Sequence, residues 1–231
     1  MKPLAVIADI HGNHLALEAV LRDIKARSIT NIVNLGDSLD RYMNPGVTAD
    51  LLMEHGIPTL LGNDESATPE QLTEHQLAWR DSLPKTLELG GDIFCCHGTP
   101  TSDTQALLED ITATGVKLAE ADVILERLST VTADLILCAH THTPNAVRLP
   151  SGQLVVNPGS VGLPAYDHDD PVPHVMQVGS PHARYAVIQQ EKGWSVQHIA
   201  LTYDWQAAAK IAGAGGRPDR AEWLLTGRAS L

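Results

Sequence analysis

Seven residues of this chain are of types that hold divalent metal ions, and all follow apolar, β-branched runs. Asp9-Ile10-His11-Gly12-Asn13 comes first, then Gly36-Asp37 and Gly62-Asn63, then His97-Gly98 and His140-Thr141-His142. The carboxyl ends of strands in an α/β sheet present their residues to a shared crevice. Two Asp, one Asn and four His converging there form a nest for two divalent ions. Such a nest performs metal-assisted hydrolysis of phosphate esters.

Asp9 and His11 are spaced to lie on the same side of an extended segment, as are His140 and His142, because side chains alternate along a strand. A carboxylate beside an imidazole suits Mn, Fe or Zn. Asp37 is the natural bridging carboxylate, and Asn63 offers a hard cation its amide oxygen. Taken singly, each signature also fits a turn or a partly buried histidine. Five of them at successive strand ends point to a metal site.

The elements that must position these residues are legible as a βαβαβ pattern. Leu4 to Ala8, Asn31 to Leu35 and Ile57 to Leu61 read as strands. Asn13 caps a helix whose Leu17, Val20, Leu21 and Ile24 recur at helical spacing. Asn44-Pro45 starts a second helix, which stops at Gly56. This alternation implies parallel strands with crossover helices. Downstream, 69–82 and 116–128 read as helices, and Asp92 to Cys96 and Asp134 to Ala139 as strands. Residues 145–156 and 185–199 read as hairpins. Asp204 caps a helix through Ala209, and a last helix runs from Pro218 to about Leu225. The stretch from Leu163 to Ala183, rich in Pro, His, Asp and Gly, reads as an irregular loop of the functional or mobile kind. No repeat or linker interrupts the chain, so residues 1–231 are expected to form a single domain.

The chain has 231 residues, with 16 Lys and Arg against 28 Asp and Glu, a formal charge of -12. So acidic a protein is a poor candidate for stable nucleic-acid binding or for an anionic membrane. A phosphate substrate would then depend on local positive charge, which bound metals supply. Cys95, Cys96 and Cys138 lack a metal-ligand spacing and read as buried thiols of a reducing compartment. No segment is long and apolar enough for a signal sequence or a membrane span. A cytoplasmic protein is the expectation.

The order Asp-x-His-Gly-Asn, Gly-Asp, Gly-Asn, His-Gly, then Ala139-His-Thr-His, resembles the calcineurin-like metallophosphoesterase superfamily. Asn157-Pro158-Gly159-Ser160 is similar to a segment of its small bacterial phosphodiesterase branch. The resemblance covers Leu4 to about Ile199. It implies an α/β fold, a four-layer α/β/β/α sandwich of two mixed sheets flanked by helices. It also implies a hydrolase with two divalent ions, Mn first among them, with Fe, Zn, Ni or Co as alternatives. One ion would be held by Asp9, His11, Asp37 and His142, the other by Asp37, Asn63, His97 and His140. Hydroxide generated between the ions would attack phosphorus.

Gly36-Asp37-Ser38-Leu39-Asp40-Arg41 resembles the Gly-Asp-x-x-Asp-Arg run of the protein phosphatase branch, where the Arg binds phosphate. Arg41 is therefore a candidate substrate contact, together with Asn13. The family's catalytic His normally follows the metal-binding Asn, but Asp64 stands there. Asp64 and Asp40 could share a proton and act as a general acid. His168 or His174 could serve instead, or the leaving group could depart unprotonated. The last alternative favours phosphodiesters over monoesters. Substrates would be small phosphate esters or nucleotides. The alternatives are a monoesterase or protein phosphatase, a dinucleoside polyphosphate hydrolase, or, less favoured, a non-enzymatic scaffold, since fold does not fix function. Oligomeric state is not legible.

Overall fold

The computed structural model describes residues 2–231. Its strands are β1 (Leu4–Ile7), β2 (Asn31–Asn34), β3 (Thr86–Leu89), β4 (Ile93–Cys96), β5 (Glu109–Thr112), β6 (Gly115–Leu118) and β7 (Leu135–Leu137). They continue as β8 (Asn145–Arg148), β9 (Leu154–Asn157), β10 (Ala165–His168), β11 (His174–Gln177), β12 (Ala183–Gln190) and β13 (Trp194–Leu201). The helices are α1 (His14–Ala26), α2 (Pro45–Glu54), α3 (Glu74–Asp81), α4 (Ala121–Leu128), α5 (Trp205–Ala214) and α6 (Pro218–Thr226).

Two mixed sheets pack face to face. The first runs β13-β12-β1-β2, and the second runs β3-β4-β7-β9-β8. In the first, Val6 of β1 lies opposite Val33 in a parallel pair and opposite Ala186 in an antiparallel one. In the second, β4, β7 and β9 are parallel, with antiparallel edges β3 and β8.

Strand alternation sorts the apolar side chains into layers. Leu4 and Val6 of β1 join Leu135, Leu137 and Val156 between the sheets. Ala5 and Ile7 face the other way, onto Leu17, Val20 and Ile24 of α1. On the far side, Ile136 and Val155 cover Ile124 and Leu128 of α4. The result is helix, sheet, sheet, helix. This is the four-layer sandwich implied by the sequence. No helix of the described residues is long and apolar enough to cross a membrane.

Five segments differ from the sequence reading. Residues 57–61 meet β2 only through the single bridge of Asn34 with Thr59. Pro58 has no N–H with which to extend a ladder. The helix expected over 116–128 begins at Ala121. Gly115, at φ 125, turns the chain so that β6 pairs with β5. The helix expected over 69–82 splits into a 3-10 turn at Pro69–Gln71 and α3, which Thr73 and Gln76 start with a reciprocal capping box. The stretch from Leu163 to Ala183 is not irregular throughout. It contains the β10–β11 hairpin, with Tyr166 opposite Met176 and His168 opposite His174. The Asp and Pro residues of its tip masked the alternation of buried His174 and Met176. At the C-terminus, α5 continues past Ala209 to Ala214.

Candidate metal centre

The carboxyl ends of β1, β2, β4 and β7 all open at one end of the sandwich, and the seven metal-ligand candidates gather there. Facing atoms of Asp9, His11, Asp37 and His142 lie within 4.8 Å of one another. The other three meet beside them. The Asn63 Oδ1 is 3.0 Å from His97 Nε2 and 2.8 Å from His140 Nδ1. Asp37 Oδ2 stands between the two groups, 3.8 Å from His11 Nε2 and 3.4 Å from His97 Nε2.

The backbone that aims them is not extended. Asp9, His11, Asp37, His140 and His142 have φ of 52°, 48°, 54°, 73° and 58°. Among the described residues only Ser28 and Ser129 share this left-handed region without being glycine. The Asp9/His11 and His140/His142 pairs therefore converge through tight turns, not through the strand alternation expected from their spacing. Such conformations cost about 1–3 kcal/mol each and persist where the surroundings over-determine them. Those surroundings are visible: the Asp9 N–H donates to Gly36 O and the His11 N–H to Asp37 O. Gly62 is required for a different reason, since a Cβ there would run into the Asp37 carboxylate and backbone nitrogen.

Hydrogen bonds on the far side of the imidazoles fix which nitrogen faces inward. His97 Nδ1 donates to Leu35 O at 2.8 Å, and His142 Nδ1 to Leu163 O at 2.6 Å. In the neutral imidazole each Nε2 then turns its lone pair toward the cluster, as a metal ligand requires. The Asp9 carboxylate is fully buried, and neither oxygen has a hydrogen-bond partner. Such a group is costly unless a cation meets it. Burial pushes Asp9 up to about 7. Burial also pushes on Asp37, but the charges of His97 and His11 hold it far below the usual carboxylate range. Burial opposes charge on His97, yet Asp37 and Asp9 carry it up to about 9. The donor set and its unsatisfied carboxylate fit divalent cations.

The expected acid pair looks different in place. Asp40 is buried and Asp64 partly exposed, and Arg220 of α6 bridges them. Its Nη1 pairs closely with Asp40 Oδ2, and its Nη2 is 3.6 Å from Asp64 Oδ2. A guanidinium, not a shared proton, joins the two carboxylates. Burial pushes Asp64 upward, but its hydrogen bond and charge interaction with His11 leave it below the ordinary value. Its neighbours thus favour the carboxylate form of Asp64. Arg220 was missed from sequence because an arginine on a short terminal helix carries no positional signal.

The two expected substrate contacts have other partners in the structure. Arg41 is exposed and does not line the cleft. Its Nη2 donates to the Tyr42 hydroxyl at 2.9 Å, and its guanidinium lies over that ring. Asn13 is buried and spent on structure. It caps α1 at Ala16 and donates to Gly162 O at 2.9 Å and the Tyr203 hydroxyl at 3.1 Å. His168 and His174 both line the cleft from the β10–β11 hairpin. The cleft encloses about 640 Å³. Arg127 and Arg217 line it too, beyond Arg220.

A two-sheet α/β sandwich that gathers Asp, Asn and His at strand ends defines the metallophosphoesterase class. The chain belongs to the calcineurin-like phosphoesterase superfamily, whose domain model matches residues 1–178. It is accordingly a phosphoesterase, of a family that works with divalent metals. It is 25% identical to the uncharacterized protein MJ0912 of Methanocaldococcus jannaschii, over 96% of this chain and 95% of that one. Its fold is similar to that of a metallophosphoesterase from Sphaerobacter thermophilus, with a TM-score of 0.75 and 22% identity over 98% of this chain and 99% of that one. The hypothetical protein PH1004 of Pyrococcus horikoshii is similar over the whole of both chains, with a TM-score of 0.73 and 18% identity.

Proposed function

We propose that the protein is a dinuclear metal-dependent phosphoesterase acting on small phosphodiesters, nucleotides among them. The observation that carries this reading is the position of Asp37, whose Oδ2 faces both donor groups. Asp9, His11, Asp37 and His142 would hold one ion, and Asp37, Asn63, His97 and His140 the other. When bound, such ions acidify water into a nucleophile and polarise phosphoryl oxygens. Mn is the first candidate, with Fe, Zn, Ni or Co as alternatives, because His and carboxylate donors accept them all.

The chain's own residues then set the substrate. A cleft of about 640 Å³ has room for substituents on both sides of a phosphorus. No imidazole stands at position 64 to protonate a poor leaving group, which supports diesters over alkyl monoesters. The buried, unpaired Cys95, Cys96 and Cys138 suit a reducing cytoplasm. The formal charge of -12 argues against stable contact with nucleic acid or anionic membrane.

Metal analysis of protein loaded with Mn, with a bis(4-nitrophenyl) phosphate assay, tests the reading. The expected outcome is two ions per chain and turnover, both lost in Asp37→Asn. A single tightly held ion, or metal loading without turnover of diesters or monoesters, would overturn it.

A further inference from the structure

We propose that His168, on the β10–β11 hairpin, is the general acid that protonates the leaving oxygen of the substrate. The inference rests on the metal-dependent hydrolase reading above. It supplies the acid that Asp40 and Asp64, joined through Arg220, do not.

The hairpin is tied to the metal centre through Tyr166. The Tyr166 hydroxyl donates to His140 O at 3.1 Å, and its ring meets the His142 ring edge-on at 4.6 Å. His168 follows two residues later on β10, so the two side chains leave the same face of the strand. The step between them is about 6–7 Å. His168 is exposed and lines the same cleft as His11, His140 and His142. Its charge is felt at His140, whose protonation it opposes. The ring therefore stands near the metal donors without being one of them. That is where a group attached to a reacting phosphoryl would extend.

The tip of the hairpin holds the ring by one nitrogen. The Asp170 N–H donates to His168 Nδ1 at 3.0 Å, and the Asp170 carbonyl oxygen lies 3.1 Å from the same nitrogen. A neutral ring accepts from the first, and an imidazolium donates to the second. Nδ1 is thus engaged within the hairpin in either state, and Nε2 is the nitrogen left for the cleft. His174, the cross-strand partner, also lines the cleft, with its ring 5.9 Å from that of His168. It is 5% exposed, however, and an acid must be reloaded from solvent in every cycle. The exposed ring meets that need. The charged groups around His168 are Asp167 and Asp170 on the hairpin, His174 on β11, His140 at the metal centre, and Arg217 of α6, which acts on Asp167.

The chemistry follows from which nitrogen is free. An alkoxide is a poor leaving group unless it gains a proton as it departs. In the reaction, water oxygen bonds to phosphorus and the P–O bond to the leaving alcohol breaks. The leaving oxygen keeps the bonding electron pair and takes the Nε2 proton of the imidazolium. The neutral ring that remains keeps its Nδ1 hydrogen, directed at Asp170 O. The proton lost by the attacking water returns through solvent to Nε2, and no other reactant is consumed. An acid on the hairpin thus extends the reaction to diesters of weakly acidic alcohols, although no imidazole stands at position 64.

The test compares metal-loaded wild type with His168→Gln on methyl aryl phosphodiesters across a range of phenol acidities. The variant is expected to lose about 100-fold or more in kcat on the least acidic phenol, and only a few-fold on 4-nitrophenol. On the least acidic phenol, wild-type activity should fall at high pH as the imidazolium is lost, and the variant should lack that limb. An equal loss across the series, or a limb that survives in the variant, would overturn the proposal. So would a fall in metal content in His168→Gln, since the ring would then serve the ions. A second readout needs no turnover. In zinc-loaded protein with 15N-labelled histidine, added tungstate, a tetrahedral oxyanion, is expected to move the Nε2 resonance of His168 and not that of His55, outside the cleft. An unmoved His168 resonance would count against the proposal in the same way. Turnover of bis(4-nitrophenyl) phosphate by wild type, whose leaving group departs unprotonated, reports on the diesterase reading by itself.

Discussion

His11 Nε2 faces His142 Nε2 across 3.2 Å. The His142 hydrogen is committed to Leu163 O, so the contact brings a lone pair against the His11 ring. A divalent cation bound there would take both nitrogens as ligands. Addition of Mn to metal-free protein is expected to raise the thermal midpoint. A ligand at 100 times its Kd contributes about 2.7 kcal/mol, or roughly 5–10 °C for a chain of this size. His142→Ala should abolish most of that rise. Calorimetric melting with and without Mn decides the matter.

Glu109 lines the cleft from β5, and burial pushes it up to about 7 from 4.5, against the pull of Thr141 and Arg127. A carboxyl whose folded value is raised keeps its proton longer in the native state. Its contribution to stability is therefore present below about 4.5 and lost as pH rises through about 7. Wild type should lose more stability between pH 5 and pH 8 than Glu109→Gln does. Denaturant melts across that range, with equal slopes for the two proteins, would contradict this.

Arg41→Ala should leave catalysis intact, because the guanidinium rests on Tyr42 outside the cleft. The expected change in kcat/KM is within about twofold, and in stability within about 0.5 kcal/mol. A large rise in KM would restore Arg41 to the substrate site.

Asn13→Ala should act on stability. It removes the cap of α1 and leaves Gly162 O without its side-chain donor. The cost is about 1–3 kcal/mol. Urea melts should show it, with KM unchanged once folded protein is corrected for.

Gly62→Ala should lose metal. The added methyl would fall on the Asp37 carboxylate, which faces both donor groups. Metal content per chain is the readout, and full occupancy would refute the packing argument.

What the sequence made legible followed from periodicity and from strand ends. β1, α1 and β2 have clean apolar spacing, and the seven metal-ligand candidates follow strands that could be read. The structure brings those seven together at one end of the sandwich. It leaves Arg41 outside the cleft and spends Asn13 on the fold. The turns that aim Asp9 and His142 were not legible, because nothing in an Asp or a His announces a positive φ. β3 and β5 were hidden in short, half-buried runs. Arg220 meets Asp40 across most of the chain, a pairing that no local pattern encodes. The β10–β11 hairpin was obscured by its Pro- and Asp-rich tip.

The place of β12 has a consequence for biosynthesis. β1 is held between β2 and β12, whose partners for Leu4 and Ala5 are Ile188 and Val187. β1 must therefore wait for Ile188 to emerge before its sheet can close. Pairings so remote along the chain slow folding. A nascent chain released near residue 178 would present a bare, apolar strand edge, inviting aggregation.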